Sequence, residues 1–358
     1  MGTSEFMLAG LVPGIAQTLD VSLARAGYLT AAFAAGMVVG APLMAALSRT
    51  WRRRTALRAF LVLFIAAHIA GGLTTSFAVL LATRVVAAVA YAGFLAVALT
   101  AAAGLVPPDR TGRALAVLLG GTTLACVAGI PGGALLDAAF GWRAAFWVVA
   151  LLCLPAFAAV SRVADTPAGG VTDLRAELRE LRHLAGALLL AALVNAATFG
   201  VFTYLAPVAA GVAPVPVVLA AFGFGCFAGI TAAGRLADRW PGHVVAIGGS
   251  LLLTGWIVLA LVPGALVFLV FTQGALSFAV GGTLITRILR QATGAPTMAG
   301  SYATAALNVG ATAGPVLAGA MNPFRVAAAL VAVALVSAVA GRSGRPAGPG
   351  RPSRSRRR

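Results

Sequence analysis

The sequence has no lysine and little acid: its 358 residues carry 26 basic side chains, all arginine, against 9 acidic ones. Charged residues make up 10% of the chain, whereas a water-soluble globular surface takes about a quarter. With 60% of residues hydrophobic and a mean hydropathy of +0.98, lipid rather than water is expected to solvate most of the exterior. Cysteine is scarce too. Cys126, Cys153 and Cys226 all lie in apolar segments without metal-ligand spacing and read as small core hydrophobes. The sequence has no Ser-His-Asp set, no Gly-Lys phosphate loop and no metal-ligand cluster. An enzyme is therefore not expected, nor a cofactor or metal, and any pumping would draw on an ion gradient. The net charge of +17 invites a nucleic-acid reading. The arginines argue against it, because they fall in short gaps between apolar runs. Their exclusive use, with abundant alanine and glycine, matches a GC-rich coding bias. No cleavable signal peptide is visible.

What the sequence does have is apolar runs of about 17–25 residues, each long enough for a bilayer core. They fall near 28–47, 59–74, 78–104, 114–136 and 144–160, then 185–209, 216–234, 244–262, 266–286, 299–320 and 325–341. A shorter run from Phe6 to Ile15 precedes them and reads as a first span of half length. Counting it predicts twelve elements in two sets of six. An all-α integral membrane fold follows, with bundles over 1–160 and 185–341, a central loop over 161–184 and a tail over 342–358.

Arginine placement sets the orientation, since cytoplasmic loops collect positive charge. One side holds Arg49, Arg52, Arg53, Arg54 and Arg58, then Arg110 and Arg113, then Arg162, Arg175, Arg179 and Arg182. Arg235, Arg239, Arg287, Arg290 and the arginines of the tail continue it; Arg25, Arg143 and Arg325 fall opposite. Both termini are therefore expected in the cytoplasm of a multi-pass plasma-membrane protein. Trp51, Trp142, Trp147 and Trp240 are placed at the two interfaces. The DLRAELRELRHL stretch predicts a short surface helix, and the Pro-, Gly- and Arg-rich tail predicts disorder, either inert or drawn to anionic lipid.

Two loops repeat. SRTWRRRTAL follows the second span and GRLADRWPG the eighth, and Ser48-Arg49 aligns with Asp238-Arg239 at an offset of 190 residues. The same loop at the same place in each half implies a duplicated six-helix unit. The second copy, Gly234, Arg235, Asp238 and Arg239 among it, resembles the G-x-L-x-D-R signature of the major facilitator superfamily. The first departs from it, with Ser48 in place of Asp and Met44 in place of Gly, while Arg49, Arg52 and Arg53 remain. The resemblance implies that these loops control a cytoplasmic gate through charge pairs; serving only as topology determinants is the alternative.

The fifth span, GGTTLACVAGIPGGALL, is similar to the antiporter motif of drug exporters. Gly121, Gly129, Pro131, Gly132 and Gly133 would give a face on which a neighbouring helix packs closely and slides without leak. Arg84 in the fourth span matches the family's membrane arginine, and a charge there is normally paired or faces a water-filled cavity. Glu5, in GTSEFMLAGLVP, is an acidic side chain in the transport core if that segment is embedded, which makes it the candidate proton carrier. His68 reads as a hydrogen-bonded structural residue rather than a second carrier.

Together with AFAAGMVVGAPLMA, ACVAGIPGGALL, GWRAAFW, TFGVFTYLAP, GALSFAVGGTLI and SYATAALNVGA, these segments resemble the actinobacterial chloramphenicol-resistance exporters of the 12-span drug:proton antiporter group. The resemblance runs along nearly the whole chain, and those relatives begin with further apolar residues. It implies a monomer that exchanges a small drug for protons across the bilayer, without nucleic acid. A cavity for neutral chloramphenicol needs aromatic faces and uncharged hydrogen-bonding groups. Asn195, Phe199, Phe202 and Tyr204 on the seventh span, Asn308 on the eleventh and Tyr91 on the fourth are the candidates, each with helix packing as its alternative. Export of a sugar or nucleoside, or a truncated non-transporting membrane protein, are the other readings.

Overall fold

In the computed structural model, residues 1–162, 174–209, 212–295, 298–319 and 321–343 are described, and none of them forms a strand. Without water inside a bilayer, a backbone must satisfy its own hydrogen bonds, and a helix does so segment by segment. The chain accordingly runs α1 (Thr3–Phe6), α2 (Leu8–Thr18), α3 (Leu23–Ser48), α4 (Arg53–Leu73), α5 (Phe77–Gly104), α6 (Thr111–Phe140) and α7 (Trp142–Arg162). It continues through α8 (Leu174–Ala209), α9 (Val215–Arg239), α10 (Pro241–His243), a π-helical turn at Val244–Gly248, α11 (Gly249–Leu261), α12 (Leu266–Gln291), α13 (Ala299–Gly319) and α14 (Pro323–Ser343). Among the described residues, eight helical stretches are long and apolar enough to cross a membrane by length and composition, one of them running from Pro241 through α11 to Leu261.

Local chemistry marks several ends. The Ser22 hydroxyl accepts from the Arg25 backbone N–H to cap α3, and Asn322 Oδ1 accepts from Phe324 and Arg325 to cap α14. Gly141, at φ 78°, makes the one-residue turn between α6 and α7.

The duplication seen in the sequence is visible in the packing. α3 lies on α5 as α9 lies on α12, and α4 on α7 as α11 on α14. α1 and α2 pack on α6 as α8 packs on α13. The halves meet through two equivalent pairs, α6 on α9 and α13 on α3. Large apolar side chains such as Val117, Phe140, Leu152, Phe268 and Val316 point outward, as a lipid-solvated exterior requires.

Two expectations need correction. The DLRAELRELRHL stretch is not a separate surface helix: from Leu174 it is the opening of α8, and its Glu177 is 1% exposed. Apolar residues follow it with no proline at the junction, so one helix absorbs both segments. Trp142 is not an interface ring; it is buried against Phe146 with the Arg143 guanidinium 4.3 Å from its ring centre. Trp51, Trp147 and Trp240 are exposed. The rest of the central loop, 163–173, and the arginine-rich tail from 344 lie outside the described residues.

Candidate functional site

A cavity of about 120 Å³ lies where the halves meet. The first half contributes Glu5 from α1, Tyr91 from α5 and Thr122 and Thr123 from α6. The second contributes Asn195, Thr198 and Phe199 from α8, Ser277 from α12 and Asn308 from α13. Among the described residues, no basic side chain lines it. Of the residues expected at a drug cavity, Tyr91, Asn195, Phe199 and Asn308 converge here with Glu5. Phe202 and Tyr204 do not. One turn beyond Phe199 the helix leaves the cavity: Phe202 stacks on Phe222 at 5.7 Å, and the Tyr204 hydroxyl donates to the Pro315 carbonyl at 3.2 Å.

Most of the polar groups here spend their donors on helix carbonyls. Thr123 donates to Leu119 and Thr198 to Val194, each at 2.9 Å. Asn308 Nδ2 donates to Thr304 at 2.9 Å, and Asn195 Nδ2 crosses to Leu307 of α13 at 2.7 Å. The wall is thus largely apolar and aromatic, with part of its polar donor capacity turned inward to the helices. Ser277 was not anticipated, because a serine inside an apolar run carries no periodic signal.

Arg84 stands behind Glu5 and is 1% exposed. Its guanidinium donates to the Ser4 hydroxyl and to the Ser4 carbonyl, both at 2.7 Å, and lies 4.4 Å from the Phe33 ring centre. Among the described residues it forms no ion pair with Glu5, although each charge acts on the other. With Ser4 Oγ accepting from Arg84, its own proton is free for His68 Nε2, 2.7 Å away. His68 Nδ1, 2.8 Å from the Phe64 carbonyl, then carries the ring's proton. This assigns a neutral, fully hydrogen-bonded imidazole, in keeping with a structural role.

At the arginine-rich end the halves are tied together. The Asp238 carboxylate, at the end of α9, accepts from the Gly112 N–H at 2.6 Å and the Arg113 N–H at 3.2 Å, at the first turn of α6. A carboxylate there meets unpaired N–H groups and the positive end of the helix dipole. Arg290 of α12 completes the tie, pairing with Asp238 and donating to the Pro108 carbonyl of the first half at 2.8 Å. Gly234 and Gly112 face each other at this crossing; a Cβ on Gly234 would meet Ala116 at 2.6 Å. Arg235 is exposed, and Arg239 lies 5.5 Å from the Trp240 ring centre. Arg290 escaped the sequence reading because it looks like any other loop arginine.

The equivalent position in the first half is built differently. The Ser48 hydroxyl bonds back to the Met44 carbonyl of its own helix at 2.7 Å. The start of α13, which Ser48 would cap by symmetry, is capped from within its own half: Glu177 Oε2 accepts from the Met298 N–H at 2.9 Å. Tyr302 also donates to the Glu177 carbonyl at 2.8 Å. Here the halves meet through small apolar residues instead, Ala45 and Ala96 against Ala295, Met298 and Ala299. A Cβ on Gly300 would collide with the Ala96 carbonyl. Arg49, Arg52 and Arg53 lie at the α3–α4 turn, with Arg53 beside Gly104.

α6 is continuous through the glycine-rich stretch. Gly133 packs on Met7, between α1 and α2, whereas Gly121 and Gly132 have open space beside them, and Gly129 is buried. The side chain of Pro131 lies outside the described residues.

A family model described as Major Facilitator Superfamily matches residues 1–241. A chloramphenicol resistance protein of Streptomyces lividans is 59% identical over 94% of this chain and 92% of its own length. The inner membrane transport protein YdhP of Escherichia coli strain K12 is 32% identical over 90% of this chain and 85% of its own. Among solved structures, the E. coli fucose:proton symporter FucP superposes with a TM-score of 0.75 at 14% identity, covering 94% of this chain and 97% of that one.

Proposed function

This chain belongs to the major facilitator superfamily, and from that premise we propose that it exports chloramphenicol or a similar small amphipathic drug in exchange for protons. The observation that carries the reading is the cavity between the halves, where one carboxyl, Glu5, faces aromatic and uncharged polar side chains and, among the described residues, no basic group. Such a wall suits a neutral or weakly polar aromatic molecule better than an anion, which would find no counter-charge. Thr123 and Thr198 each commit their one hydroxyl proton to a helix carbonyl, and Asn195 and Asn308 each commit one amide proton, which leaves fewer donors for a polyol. The name of the Streptomyces lividans relative points to the same substrate class.

The cycle is alternating access. Ties at the arginine-rich end through Asp238 and Arg290 hold the halves together on that side. Its volume, about 120 Å³, is below the roughly 300 Å³ at which drug-sized pockets begin. The halves must therefore part to admit a substrate and rejoin behind it. Glu5 sits where a proton taken up from one side and a drug released to it would compete for one cavity. Proton exchange is assigned to Glu5, and Arg84 positions the Ser4–Glu5 segment.

The test is chloramphenicol accumulation in a pump-deficient host, with and without a protonophore. Lower accumulation that the protonophore abolishes is the expected result. Unchanged accumulation despite confirmed membrane expression would remove chloramphenicol as the substrate.

A further inference from the structure

Hydroxyls inside membrane helices usually bond back to the carbonyl four residues earlier, which spares them an unsatisfied donor. Thr123, Thr198, Thr283, Thr286 and Thr304 all do so here. Ser277 does not. It is 2% exposed, it lines the cavity, and among the described residues its hydroxyl has no hydrogen-bond partner. The nearest polar side chain on the same face of α12 is Gln273, one turn earlier. That amide turns away toward α11, into the room left by the missing side chain of Gly255. A buried donor without a partner is destabilising unless something else supplies the acceptor, and the cavity is the side from which an acceptor can come.

We propose that Ser277 is a specificity-determining contact of the export site, donating its hydroxyl to an uncharged acceptor oxygen of the substrate, such as a carbonyl or nitro group. The chemistry of the wall selects that class. With no basic side chain in the cavity among the described residues, an anionic oxygen finds no counter-charge and loses its hydration. A neutral acceptor loses less and is matched by the Ser277 donor. Ser277 belongs to the second half and Glu5 to the first, so the substrate is held from one bundle while the proton is handled by the other. That division lets a rocking motion change the distance between the two groups.

The inference rests on the drug-export reading, and its test separates the two. The full chain, purified into lipid nanodiscs, is titrated with chloramphenicol beside Ser277→Ala and Ser277→Thr. A lost hydrogen bond to the ligand is expected to weaken binding by about three- to ten-fold in Ser277→Ala, with Ser277→Thr, which keeps the donor, within about two-fold of the parent. A parent that binds and a Ser277→Ala protein that binds equally well overturn the Ser277 contact and leave the export reading standing. A parent that does not bind chloramphenicol overturns both. Should Ser277→Ala not fold, Ser277→Cys, similar in shape but a weak donor, takes its place in the same comparison. A general packing role is excluded if Ser277→Thr, which changes the volume, retains affinity while Ser277→Cys loses it.

Discussion

Arg84 grips Ser4 twice, at the hydroxyl and at the backbone carbonyl, across 80 residues of sequence. A planar guanidinium offers two donors in a rigid fork, whereas an ammonium is a compact point charge without that fixed geometry. The arginine therefore fixes the backbone of the residue before Glu5 and places that carboxyl at the cavity without pairing with it. Arg84→Lys is expected to keep the charge and lose the geometry, lowering drug export by on the order of ten-fold while membrane abundance stays near that of the parent. Efflux assays normalised to immunoblotted protein measure this.

Glu5→Gln removes the exchangeable proton and keeps the shape of the side chain. Export driven by an imposed pH gradient in proteoliposomes is expected to vanish, whereas equilibrium chloramphenicol binding stays within about three-fold of the parent, as expected for a group that couples rather than anchors. Loss of binding with intact pH-driven export would assign Glu5 to the drug instead of the proton.

Asp238 and Arg290 act on one structure, so their effects should not add. Either Asp238→Asn or Arg290→Ala is expected to loosen the arginine-rich end, and the double variant should be little worse than each single. The readout is labelling of a cysteine placed at Thr286, which is 2% exposed, in a background where Cys126, Cys153 and Cys226 are replaced. Faster labelling in the variants is expected, and rates equal to the parent's would mean that the tie does not hold this end shut.

Glu177 occupies the cap that symmetry assigns to position 48. Glu177→Ala is expected to cost about 0.5–2 kcal/mol of stability, the range of a lost helix cap, seen as a lower midpoint in thermal unfolding monitored by size exclusion. Ser48→Asp should recover part of that loss, because α3 already packs beside the start of α13 through Ala45. In the parent background the same substitution brings a second carboxylate toward Glu177 and is expected to bring no gain.

Much of the site was legible in the sequence. Asn195 and Phe199, four residues apart, share a helix face, and both reach the cavity. Phe202, one turn further on, has the same periodicity but falls on Phe222. Periodicity assigns a face and carries no information on where along a helix a cavity ends. The loop repeat pointed to Asp238, whose carboxylate proved to cap α6, while its partner Arg290 had no motif to mark it. Ser277 and Glu177 were invisible for a related reason: a lone serine in an apolar run and a glutamate in a charged stretch each look like background.

By itself the sequence determined the solvent, the helices and their duplication. Those follow from hydropathy, span length and a loop repeated 190 residues apart, all of which are properties of one chain segment at a time. Which residues face each other across the halves was decided only by the tertiary structure. The two ends of a pseudo-symmetric pair diverged there: one helix start is capped across the interface by Asp238 and the other from its own half by Glu177. Capping needs only a carboxylate within reach of unpaired N–H groups, and reach is set by packing rather than by position in the repeat.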